Sequence, residues 1–331
     1  MNSAHIFMGN TYRLHTVFDK AERGEPVSIV FLGASITLGY QIDKKYLFPT
    51  IVQNYLRDQF HNSNIHSHNL SVAGMPSMHG LQLAYFDVES YAPDLIVIDY
   101  SVNDQKDATH REAFEGLIVK CLSLPTKPAV LSFFVKNRSG YTCAAQMTAV
   151  CSHYDIPYVN VGEWLEQDIL QGSMKLEDFS YDGCHPTPEG HGYIGKCLLE
   201  LFKHATHTPA DSEYRLPEQP FFQDELAHLQ FHPSSWENTP STHLPSLSLE
   251  ANCRTLFLIY LVGTTQDYGK ACLTVDGSVC SHLDSYRIHE WEHPAYEVIH
   301  LSKEKKLHQI SLSMPKGEND KRFHLLRLGY I

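Results

Sequence analysis

Five apolar runs in the first 200 residues, alternating with segments of helical periodicity, constrain the fold of this chain more than any other feature. VSIVFLG (27–33) and DLIVIDYS (94–101) are nearly continuous in aliphatic residues, as strands covered on both faces must be. HSHNLSVAG (66–74), AVLSFFV (129–135) and IPYVNV (156–161) are shorter runs of the same kind. Between them, TYRLHTVFDKAERG (11–24) sets Leu14, Val17, Phe18 and Ala21 on one helical face and ends at glycine. YLFPTIVQNYLRDQF (46–60), HREAFEGLIVKCLSL (110–124), a segment near 141–154 and PEGHGYIGKCLLELFKHA (188–205) continue the alternation, the last with proline at its start. This order predicts an α/β protein, a three-layer α/β/α sandwich with about five parallel strands.

The pattern changes after residue 205. THTPADSEYRLPEQPFFQ and HPSSWENTPSTHLPSLS are rich in Pro, Ser and Thr and read as connecting segments. Beyond them TLFLIYLVG, ACLTVDGSV, YEVIHLS, HQISLSM and HLLRLGYI are short β-type runs, with Asp276-Gly277 offering a hairpin turn. The expected organisation is a first domain over 1–205, a connecting segment over 206–250, and a C-terminal antiparallel β-sandwich over 251–331.

Composition narrows the partners. The formal net charge is -12, from 38 acidic and 26 basic residues, and no Lys/Arg-rich block stands out. That argues against nucleic acid and against an anionic membrane surface. No run approaches the roughly 18 apolar residues of a membrane span. The first residues lack a basic segment followed by an apolar one, so no secretory signal is expected. The eight cysteines form no C-x-x-C pair and several lie in apolar stretches, the pattern of free thiols in a reducing, cytoplasmic setting.

Open α/β sheets carry their sites at the C-terminal ends of the strands. There this sequence places Gly33-Ala34-Ser35, then Ala73-Gly74, then Ser101-Val102-Asn103-Asp104. Tyr181-Asp182-Gly183-Cys184-His185-Pro186 precedes the last helix. Together they supply a nucleophile, a base, a group to orient the base, and oxyanion donors, which is the set acyl transfer requires. Serine oxygen is a weak nucleophile until a histidine takes its proton, and a carboxylate beside that histidine holds its tautomer.

With these residues in view, the chain resembles the SGNH (GDSL-type) hydrolases, whose four motif blocks lend the name. Ser35 falls on the nucleophile in GASIT, Gly74 on the second-block glycine, and Asn103 on the asparagine of the third block. Asp182 and His185 fall on the D-x-x-H-P block. The resemblance covers roughly 10–205, and the blocks occur in the family's order. It implies a flavodoxin-like SGNH fold, catalytic Ser35, His185 and Asp182, an oxyanion hole of Ser35, Gly74 and Asn103, and no metal or cofactor. Two positions depart from the pattern: Ala34 stands where the family has aspartate, and Ser101 where it has glycine. Relatives with an appended β domain are often carbohydrate esterases. The implied substrate is therefore an O-acetylated carbohydrate or other small acyl ester. An acyltransferase using the same triad, or an inactive carbohydrate-binding protein, is the alternative.

Other readings of single residues compete. Ser35 alone would serve as a helix N-cap, and Asn103 and Asp104 as turn formers. Cys184 beside His185 suggests a thiol, and His191 with His185 and Asp182 a metal site, though their spacing matches no zinc-binding motif. Trp236, Trp291, Tyr286 and Tyr296 could stack on a sugar or pack a core. The C-terminal runs contain no acid–base–nucleophile set.

Overall fold

Each of the five apolar runs contains a strand. The computed structural model describes residues 5–233, 247–288, 291–318 and 320–331. It divides into two units, Met1–Ala227 and His228–Ile331.

In the first unit the strands are β1 (Ile6–Phe7), β2 (Val27–Gly33), β3 (Ile65–Asn69), β4 (Leu95–Asp99), β5 (Ala129–Phe133) and β6 (Tyr158–Val159). The helices are α1 (Tyr12–Glu22), α2 (Ser35–Leu38), α3 (Phe48–Gln59), α4 (Ser77–Phe86), α5 (Ala108–Leu122), α6 (Ala144–His153), α7 (Val161–Leu170), α8 (Leu176–Phe179) and α9 (Pro188–His207). The sheet order is β1-β6-β5-β4-β2-β3. Strands β3, β2, β4, β5 and β6 pair in parallel, and the two-residue β1 adds an antiparallel edge that the sequence pattern did not indicate.

Alternation along the strands separates two cores. Ile29 and Phe31 of β2 join Leu95, Val97, Leu131 and Phe133 in one core with side chains of α1, α3 and α9. Val30, Leu32, Ile96 and Ile98, equally buried, point to the other face. Helix α4 was not foreseen. Its Ser77, His79 and Gly80 are buried along with Met78, Leu81 and Ala84, so the segment carries no one-sided apolar stripe to betray it.

This order has a consequence for function. The chain enters the parallel part of the sheet at β2, steps to β3 on one side, then crosses to β4 on the other. The switch point therefore lies between the ends of β2 and β4, where Ser35 and Asn103 follow. Gly33 closes β2 opposite Asp99 of β4. A Cβ at Gly33 would lie 2.3 Å from the Thr37 hydroxyl and 2.9 Å from the Asp99 carbonyl oxygen, so only glycine lets the chain turn here.

The stretch expected to connect the domains is bound to the first unit in its early part. Asp211 accepts hydrogen bonds from the Thr11 amide and hydroxyl. The Tyr214 hydroxyl donates to the Tyr154 carbonyl. The buried Glu115 carboxylate of α5 accepts the amides of Phe221, Phe222 and Gln223 at 2.7 to 2.9 Å. Pro-, Ser- and Thr-rich composition marks the lack of regular structure here, and it is blind to a buried acid waiting for backbone donors.

The second unit is a pair of four-stranded antiparallel sheets. Its strands are β7 (Gln230–Phe231), β8 (Leu247–Cys253), β9 (Thr255–Val262), β10 (Lys270–Val275), β11 (Ser278–Asp284), β12 (His293–His300), β13 (Lys306–Ser313) and β14 (His324–Tyr330). The orders are β11-β10-β13-β8 and β12-β9-β14-β7. Leu256, Leu258 and Tyr260 of β9 and Leu273, Ile310 and Leu312 of the other sheet share one core. Asp276 and Gly277, both with positive φ (51° and 78°), make the two-residue turn between β10 and β11. Among the described residues, no helix is long and apolar enough to cross a membrane.

Candidate active site

Ser35 is the first residue of α2, and Ala34 takes the cap position without a side-chain cap bond. The hydroxyl is thereby free of the capping role. It meets His185 Nε2 at 2.9 Å, across 150 residues of sequence. His185 Nδ1 lies 2.6 Å from Asp182 Oδ2. Because an ionised carboxylate only accepts, Nδ1 carries the proton and Nε2 is the acceptor for the serine hydroxyl.

The Asp182–His185 turn is held from several sides. Asp182 Oδ1 accepts the amides of Cys184 (2.8 Å) and His185 (2.7 Å). Burial would raise the Asp182 carboxyl, but hydrogen bonds from the His185 ring and these amides outweigh it and bring it down to about 2. The Ser180 hydroxyl donates to the His185 carbonyl and accepts the Gly183 amide, each at 2.9 Å. The Arg138 amide donates to the Gly183 carbonyl at 2.6 Å, where Gly183 has φ +90°. Tyr181 stacks on the His185 ring at 5.9 Å, and Tyr40 approaches it at 5.4 Å.

The other two sequence-predicted residues flank the serine's strand. Gly74 has φ +75° in the turn after β3, and the Val72 amide of that turn donates to the Gly33 carbonyl. Asn103 sits in the turn after β4, its amide donating to the Tyr100 carbonyl. No described residue accepts a hydrogen bond from the Ser35 amide, the Gly74 amide or the Asn103 side chain, so all three donors are available to a ligand.

Two buried acids that sequence reasoning passed over hold this frame. Asp104 accepts the Ser77 amide at 2.7 Å and so ties the Asn103 turn to the start of α4, three residues past Gly74. Its carbonyl oxygen accepts the Tyr141 hydroxyl at 2.6 Å. Asp99 accepts the Ser101 amide and hydroxyl, and that hydroxyl accepts the Val135 amide. Ser101, the departure from the family's glycine, thus links the end of β4 to the chain beyond β5. Their sequence signals are a place at the end of a buried strand and, for Asp104, the position after Asn103 in the third block.

Burial raises the Asp104 carboxyl to about 7, against an ordinary value near 4, and its Oδ2 has no partner among the described residues. Below pH 4 the group is protonated whether folded or unfolded. As pH climbs toward 7 the unfolded chain ionises first, and stability is lost across that window. The loss is on the order of 3–4 kcal/mol for this shift. Asp104→Asn keeps an acceptor for Ser77 and does not ionise. Urea unfolding at pH 4.5 and pH 8 should show the variant gaining on the wild type by about 3 kcal/mol between the two. A gap that does not change with pH would mean that Asp104 does not titrate in this way.

Competing readings of single residues fare differently. The Cys184 thiol is pushed up by burial and by Asp182, the opposite of what a thiolate nucleophile needs. His191 is buried against Phe48 (5.9 Å), and burial lowers it to about 4. Tyr296 stacks on Phe257 in the second unit, Trp291 is half exposed, and Trp236 lies outside the described residues.

Residues 31–193 match the GDSL-like lipase/acylhydrolase family. The first unit is an SGNH (GDSL-like) hydrolase domain. No curated protein matches the sequence. Among solved structures, a two-domain esterase active on acetylated mannans, co-crystallised with mannopentaose, is 22% identical. Its TM-score is 0.81, covering 97% of this chain and 95% of that one. A second structure titled as a two-domain esterase active on acetylated mannans is 21% identical with a TM-score of 0.78 and the same coverage. At such identity the likeness establishes the fold: an α/β domain followed by a β domain.

Proposed function

We propose that this protein is a serine esterase that removes acetyl groups from a carbohydrate through an acyl-enzyme. The observation that carries the reading is the continuous Asp182–His185–Ser35 hydrogen-bonded chain at the switch point of the sheet. His185 Nε2 takes the Ser35 proton as Oγ attacks the ester carbonyl, and the Ser35 amide, Gly74 amide and Asn103 amide group bind the oxyanion. His185 then protonates the departing sugar oxygen. Water, activated by the same nitrogen, releases acetate. His185 is 23% exposed and Asp182 41%, so water reaches the triad from solvent.

The sugar specificity rests on the likeness to the mannan esterases and is tested directly. Short-chain p-nitrophenyl esters and acetylated manno-, xylo- and gluco-oligosaccharides should be turned over, with acetate released and the sugar backbone intact. Transfer of acetyl to added sugar without net acetate release would favour the transferase instead. Asn103→Ala should lower kcat by about 10²–10³ while changing KM little, because the oxyanion forms only in the transition state. A rise in KM at constant kcat would remove Asn103 from that role. The cytoplasmic setting belongs to this proposal too, supported by eight free cysteines, five of them buried.

A further inference from the structure

A cavity of about 860 Å³ lies in the first unit apart from Ser35, between α7, the chain that follows it and one face of α9. It is within the size range of ligand sites. We propose that it binds a neutral oligosaccharide, an extended subsite for the unreacted part of the chain whose acetyl groups the triad removes. This rests on the esterase reading for its biological sense, though not for its physical argument.

The glycines of α9 provide that argument. Glycine is among the least favourable residues inside a helix, so each one calls for a reason. At Gly190 a Cβ would lie 2.0 Å from the Phe179 carbonyl oxygen, and at Gly195 it would lie 2.9 Å from Ile51. Both are required by packing. At Gly192 a Cβ would meet nothing within 4 Å, and the backbone is ordinary helix. Packing within this unit does not ask for glycine there, yet Gly192 lines the cavity. Its missing side chain leaves the helix backbone open to close approach by a bound molecule.

The lining chemistry selects the class. Gln167 and Gln171 offer amides that both donate and accept, as sugar hydroxyls require. Asp168 is held in place by the Tyr193 hydroxyl at 2.8 Å, leaving its other oxygen for a ligand donor. Asp168 and Glu189 outnumber Lys196, so an anionic sugar or phosphate is disfavoured. Trp164 and Met174 supply apolar wall for the faces of sugar rings, while the charged Asp168, Glu189 and Lys196 beside them disfavour a bare acyl chain.

Position links the cavity to the reaction. Glu189 lies four residues past His185, and Ser173 and Met174 precede α8, which leads into the Asp182–His185 turn. The cavity is therefore built from the segments that bracket that turn on both sides.

The test titrates cellopentaose, xylopentaose, mannopentaose and trigalacturonate into the full chain by calorimetry. It also follows p-nitrophenyl acetate turnover. At least one neutral pentaose should bind, more tightly than trigalacturonate. Gly192→Tyr, which projects a ring into the cavity, should weaken it tenfold or more and leave p-nitrophenyl acetate turnover within twofold. Gln171→Ala, at an exposed position, should weaken binding severalfold and serves if the tyrosine variant does not fold. Failure of every neutral pentaose to bind, tighter binding of trigalacturonate, or unaltered affinity in the folded variants would overturn the proposal. Absent p-nitrophenyl ester turnover with intact pentaose binding would instead count against the esterase reading.

Discussion

Ser35→Ala is expected to reduce ester turnover by roughly 10⁶-fold, since members of such a unit fail together when the nucleophile is lost. The substitution removes one oxygen that is 2.9 Å from His185 Nε2 and makes no cap bond. The fold should therefore survive, with a melting temperature close to that of the wild type. An organophosphonate should label Ser35 and no other serine, as read by peptide mass spectrometry. Near-normal turnover by folded Ser35→Ala, or labelling elsewhere, would remove this serine from the chemistry.

His185→Ala should cost about as much as losing the serine, while Asp182→Asn should cost less, about 10⁴-fold. The alanine removes the proton acceptor altogether. The asparagine leaves it in place but without the charge that holds Nδ1–H and stabilises the imidazolium. Asp182 sits at about 2, so it stays ionised throughout the working range. Unaltered turnover in folded Asp182→Asn, with chemistry rate-limiting, would separate Asp182 from His185 in function.

The frame behind the site was harder to read than the site itself. Ser35, Gly74, Asn103, Asp182 and His185 each follow a strand or precede a helix in motif blocks, so their types and order were visible in the linear chain. Asp104 follows Asn103 in the third block and Asp99 ends the strand before it, yet neither is given a role by the motif pattern. Their importance comes from burial and from the Ser77 and Ser101 amides that reach them. The π-faces of Tyr40 and Tyr181 on His185 were invisible for the same reason: Tyr40 is 145 residues from its partner ring.

Strand–helix alternation by itself determined a parallel sheet covered by helices, because runs buried on both faces have few other solutions. It likewise determined a β-rich C-terminal region with a turn at Asp276-Gly277. Tertiary structure alone decided the sheet order, in which β2 lies between β3 and β4 and creates the switch point beside Ser35. It also decided the binding of 206–227 to the first unit and the open space at Gly192. Periodicity records which side of an element is apolar. Contacts between residues 27 to 150 positions apart, such as Asp104 with Ser77 or His185 with Ser35, depend on how the elements are stacked, and local pattern carries no record of that.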